Sequence, residues 1–92
     1  MAQAEARHIL VNSEEECLAL KEEIVNGKDF AAVAAAVSLC PSKADGGNLG
    51  TFSPGQMVKE FDDVVFSADV GVVMGPVQTQ FGYHLIEVTW RG

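Results

Sequence analysis

The last stretch of the chain, FGYHLIEVTW at residues 81–90, alternates more cleanly than any other segment. At a side-chain period of two, His84, Ile86, Val88 and Trp90 share one face, and Tyr83, Leu85, Glu87 and Thr89 share the other. Such a strand needs partners, and the chain offers three. EARHILV at residues 5–11 is apolar and rich in β-branched side chains, LGTF reads as a short strand, and GVVMGPVQTQ holds another short strand after Pro76.

Helices are expected between these strands. Ser13 is placed to cap a first helix over about 14–26, with Glu16 able to reach back to the Ser13 amide. Glu14, Glu15 and Glu16 suit the positive end of its dipole, and Asn26 and Gly27 stop it. Asp29 caps a second helix in which Phe30, Val33, Ala34 and Val37 follow helical spacing, ending before Pro41. Met57, Phe61, Val64 and Val65 mark a third, over about 57–66. The order β-α-α-β-α-β-β predicts an α+β fold with a mostly antiparallel sheet.

Ninety-two residues suffice for one core and not for two, so a single domain over 1–92 is expected. Six basic residues against thirteen acidic ones give a net charge of −7 without a basic cluster. Nucleic acid and anionic membrane are therefore poor partners, and the charge excess favours a monomer. No apolar run approaches the length of a membrane span, and MAQAEARH lacks an apolar stretch behind a basic one. A cytoplasmic location is expected on that ground.

The segment CPSKADGGNLGTFSPGQM, residues 40–57, admits several chemistries. A phosphate cradle needs its glycines on a strand-to-helix turn, whereas GGNLG runs into the strand-like TF and Lys43 precedes the glycines. Gly46 and Gly47 are better read as supplying positive φ for a chain reversal. A thiol nucleophile needs a lowered pKa, yet Cys40 lies just past a helix C-terminus, where the dipole disfavours a thiolate. Cys17, on the inward face of the first helix, reads as an apolar filler. Two cysteines without CxxC and two histidines are too sparse for zinc or a disulfide framework, so neither metal nor organic cofactor is expected. His8 and His84 fall on the strand face that also holds Leu10 and Ile86. Neighbouring strands would bring their rings together, either as a structural polar network or as part of a site.

Taken together, HILV from His8, GKDFAAVAAAVS at 27–38, CPS at Cys40, GGNLGTFSPGQMVKEFDDVVF from Gly46 and GPVQTQFGYHLIEV from Gly75 resemble the parvulin family of peptidyl-prolyl cis/trans isomerases, most closely its minimal single-domain bacterial type. The resemblance spans about residues 6–91. It implies a four-stranded antiparallel sheet surrounded by three to four helices, with the two histidine strands side by side. It also implies a catalytic group of His8, Cys40, His84 and Thr79. Met57, Phe61 and Phe81 match the pocket for the substrate proline ring, and Leu49 and Gln56 match its rim.

Partners implied are proline-containing peptides and unfolded or folding proteins, with no cofactor. One branch of the family reads phosphoserine or phosphothreonine through basic residues after the first strand. Here that place reads VNSEEECLAL, with three consecutive glutamates, so an uncharged or apolar residue before proline is expected. The alternative implied by the same fold is a module that binds proline-containing or unfolded segments without turning them over.

Overall fold

The computed structural model describes residues 2–92, leaving Met1 outside the described residues. Its elements are β1 (Ala4–Val11), α1 (Glu14–Val25), α2 (Phe30–Val37), a 3-10 turn (Pro41–Asp45), β2 (Asn48–Phe52), α3 (Lys59–Val65), β3 (Val73–Thr79) and β4 (Gly82–Arg91). The four strands form one antiparallel sheet in the order β2-β1-β4-β3, so the expected α+β architecture holds. β1 and β4, the first and last strands of the chain, are the central pair.

Both faces of the sheet are covered. On one, Ala4, Ala6, Ile86 and Val88 pack with Phe52 and with Phe61 and Val65 of α3. On the other, Ile9, Val11 and Leu85 meet Cys17 of α1 and Phe30, Val33 and Ala34 of α2. Cys17 is fully buried, and burial pushes its thiol up to about 11, which suits an inert filler. Cross-strand partners Arg7 and Glu87 form an ion pair at 2.7 Å, with the guanidinium 4.6 Å from the Phe30 ring centre.

The helix starts follow their caps. Ser13 Oγ accepts from the Glu16 amide at 3.1 Å, and Asp29 Oδ2 accepts from the Ala32 amide at 3.0 Å. The structure refines the expected elements. α3 begins at Lys59 instead of 57, because a turn over Ser53–Gln56 leaves Met57 and an extended Val58 to lead the chain in. β3 begins at Val73, ahead of Pro76. The sheet tolerates that proline because β3 is an edge strand whose register slips between Met74 and Val77. The segment after Cys40 is a 3-10 turn, with Pro41 at its start and Gly46 closing it at φ 66°.

That turn is bound to β1 through Gly47, whose carbonyl accepts from the His8 amide at 2.9 Å. A Cβ at Gly47 would collide with the His8 carbonyl oxygen, and its φ is 86°, so only glycine fits. The chain reversal expected at Gly46 and Gly47 is therefore present, and it brings residues 40–45 beside the histidine strand.

Candidate active site

Register places the two histidines diagonally on one face of the central pair. His8 is opposite Ile86, and Leu10 is opposite His84. Their imidazoles stack with centroids 5.2 Å apart and 16° between planes, and the two Nδ1 atoms are 3.0 Å apart. The network continues outward at both ends. His8 Nε2 is 3.2 Å from Ser42 Oγ, and His84 Nε2 is 2.8 Å from Thr79 Oγ1, which also accepts from the Phe81 amide at 3.1 Å.

His8 and His84 are 5% and 4% exposed. Burial, followed by the proximity of His84, lowers His8 to about 4, and burial lowers His84. Both rings are thus neutral at pH 7, with all four ring nitrogens within hydrogen-bond reach of a partner. Phe61 stands nearly perpendicular to both imidazoles, at 5.6 Å and 5.8 Å between centroids, and forms the floor they share.

Over this floor lies an apolar cavity of about 430 Å³. β1 contributes His8 and Leu10, the connection after α2 contributes Leu39, Cys40 and Pro41, and β2 contributes Leu49. Met57 and Val58 form the wall ahead of α3, and Phe61, Phe81 and His84 complete the lining. Among the described residues, no charged side chain lines it. Phe81, at the β3–β4 turn, is 60% exposed, so a large apolar ring stands open to solvent at the mouth. Ser38, at the end of α2, holds the opposite wall in place. Its buried hydroxyl accepts from the amides of Leu10 at 3.0 Å and Cys40 at 3.4 Å.

His8, Cys40, His84, Leu49, Met57, Phe61 and Phe81 thus meet around one cavity. Thr79 is not part of the lining; it sits buried behind His84. Gln56, expected at the rim, is not brought into the cavity. It is exposed and absent from the lining, and its Oε1 accepts from the Ser53 amide within the turn before α3. Leu39, Pro41, Val58 and Ser42 were not singled out in the sequence. Of these, Leu39 and Pro41 flank Cys40 directly, a proximity that marks them as wall residues once Cys40 is placed.

An apolar cleft thus overlies a buried histidine pair on an antiparallel sheet whose histidine strands are adjacent. Residues 4–90 match the family described as Rotamase, PPIC-type PPIase domain, and the chain belongs to that family of peptidyl-prolyl isomerases. It is 47% identical over 85 residues to foldase protein PrsA of a Geobacillus species, an alignment covering 91% of this chain and 31% of that protein. The crystal structure of the peptidylprolyl isomerase PrsA from Bacillus anthracis superposes with a TM-score of 0.97 at 35% identity, over 99% of this chain and 42% of that one. The solution structure of NmPin, the parvulin of Nitrosopumilus maritimus, gives a TM-score of 0.86 at 38% identity, over 96% of both chains. The chain spans a little under a third of the length of the foldases it matches.

Proposed function

We propose that this chain accelerates cis/trans rotation of X-Pro bonds without forming a covalent intermediate, and that it prefers an uncharged, apolar residue before the proline. The observation that carries this reading is the uncharged cavity walled by Met57, Phe61, Phe81 and Leu49 above the neutral histidine pair.

The physical demand is modest. Amide resonance sets a barrier of about 18–20 kcal/mol to rotation. A thousand- to million-fold acceleration needs only about 4–8 kcal/mol of it. The twisted amide in the transition state has lost resonance polarity and gives up less hydration than the planar form. A dry apolar seat for the proline ring therefore stabilises it relative to the ground state. Met57, Phe61 and Phe81 supply that seat. Cys40, half-buried in the opposite wall, lies beside the bond being rotated. His8, His84 and Thr79 hold the floor; with their ring nitrogens engaged with one another and with hydroxyls, they serve geometry more than proton transfer.

The absence of charge in the lining disfavours a phosphorylated residue, whose dianion would be desolvated without a cation. Clients would be flexible proline-containing segments of unfolded or folding proteins, as the foldase relatives suggest.

The test is NMR exchange spectroscopy on short peptides with Leu, Phe, Ala, Glu or phosphoserine before proline, at catalytic concentrations of protein. Faster exchange, best for Leu and Phe, is the expected result. Shifts at Met57, Phe61 and Phe81 with no acceleration would make this a binding module. Faster turnover of the phosphoserine peptide would overturn the specificity.

A further inference from the structure

We propose that Ser42 is a positioning residue that holds the proton order of the buried histidine pair by accepting from Nε2 of His8. The proton order follows from the hydrogen-bond geometry and the neutrality of both rings; its effect on rate rests on the isomerase reading above.

The order is set from the far end of the network. The Phe81 amide can only donate, so its 3.1 Å bond occupies one lone pair of Thr79 Oγ1. His84 Nε2 is 2.8 Å from the same oxygen. If that nitrogen carried a proton, Thr79 would accept twice, and its own hydroxyl proton would have neither neighbour as a partner. Thr79 is 7% exposed, and a buried hydroxyl proton left unpaired is costly. With Nε2 bare, Thr79 donates to it while accepting from Phe81, and each bond is made.

The rest follows by proton counting. A neutral His84 with a bare Nε2 carries its proton on Nδ1 and donates to His8 Nδ1, 3.0 Å away. His8, also neutral, then holds its proton on Nε2, which points to Ser42 Oγ at 3.2 Å. Ser42 must accept. It can do so without cost to its own hydroxyl proton, because it is only half-buried and can turn that proton outward. All donors in the chain from Thr79 through His84 and His8 to Ser42 point the same way.

This order ties together two walls of the cleft. Ser42 follows Cys40 and Pro41 in the 3-10 turn, and Phe81 stands at the β3–β4 turn. The buried histidines join them below the substrate. A purely structural serine would act through its backbone, and Ser42 does hold the turn that way, its carbonyl accepting from the Gly47 amide at 2.9 Å. That bond survives replacement of the side chain, so the two roles separate.

The experiment is long-range proton–nitrogen correlation on the full chain labelled with nitrogen-15 histidine, near neutral pH. The expected result for the unsubstituted chain is a proton on Nδ1 of His84 and on Nε2 of His8. In Ser42→Ala, the His8 tautomer ratio should move towards Nδ1–H by about tenfold or more, the size of effect an orphaned donor produces. kcat should fall with KM unchanged, and Ser42→Thr should restore both.

A proton on Nδ1 of His8 in the unsubstituted chain overturns the proposal without recourse to any variant. So does an unchanged tautomer ratio in a folded Ser42→Ala. If the unsubstituted chain shows the stated order but no acceleration of exchange, the order stands and the isomerase reading falls.

Discussion

His8 Nδ1 and His84 Nδ1 face each other at 3.0 Å, so the bond between them has room for one proton and not two. A first positive charge, taken at Nε2 of His84, would leave the buried Thr79 hydroxyl proton without a partner. A second would set two N–H groups against each other. Neutrality is therefore built into the way β1 and β4 are joined.

Stability should consequently fall as the solution is acidified. His8 is lowered to about 4 by burial and by His84, and His84 is lowered by burial, whereas both titrate near 6.5 in the unfolded chain. Below 6.5 the unfolded state binds protons that the folded state refuses. The stabilising contribution is complete above about 6.5 and is lost as pH falls towards 4. His8 alone accounts for up to about 3 kcal/mol. Urea unfolding between about pH 7.5 and pH 4.5 should show this slope, and His8→Ala should flatten it. An unchanged slope in that variant would remove the histidine from the account.

Phe81 offers a probe of the cleft that leaves the core alone. Its ring is 60% exposed, so Phe81→Ala should alter unfolding free energy by no more than about 0.5 kcal/mol. Loss of its contact with a proline ring should lower kcat/KM about tenfold, since burying a comparable apolar group stabilises by about 1.5 kcal/mol or more. Unaltered turnover would place the substrate elsewhere.

Cys40→Ser should retain isomerase activity to within about tenfold, because rotation about the amide requires no nucleophile. Loss of all activity in a folded Cys40→Ser variant would require a role for the sulfur that the non-covalent reading lacks.

Gly47 and Gly55 both have positive φ, at 86° and 90°, but only Gly47 faces an obstacle. Gly47→Ala pushes a Cβ against the His8 carbonyl and should cost about 2–4 kcal/mol. Gly55→Ala, with nothing within 4 Å of the added atom, should cost about 1–2 kcal/mol from backbone strain alone. Thermal or urea unfolding of the two variants gives the comparison, and equal losses would show that contact with β1 is unimportant.

Much of this was legible in the sequence because it depends on period and capping. The alternation of residues 83–90, the caps at Ser13 and Asp29, and the inward Cys17 needed no tertiary information. The pairing of His8 with His84 followed once their strands were taken as neighbours. The start of β3 was not legible, because whether a strand accepts Pro76 depends on its being at an edge. Ser42 was hidden for a related reason. Its hydroxyl reaches His8 only after Gly46 and Gly47 fold the 3-10 turn back on β1, a contact that no local pattern encodes. Gln56, which the resemblance put at the rim, uses its side-chain oxygen to close the preceding turn, a local bond that the family match does not reveal.

The central pairing also sets when the domain can exist. His8 lies opposite Ile86, so nearly the whole chain must loop out before the middle of the sheet closes. Closing a loop of that length costs about 4 kcal/mol in chain entropy beyond a constant term. α1 and α2 can nucleate locally, but each needs the sheet to cover its apolar face. During synthesis the first strand has β2 for one edge, but its other edge lacks a partner until the last strand has left the ribosome. Assembly is concentrated into one late, cooperative step, and folding is slow relative to that of chains whose contacts are local.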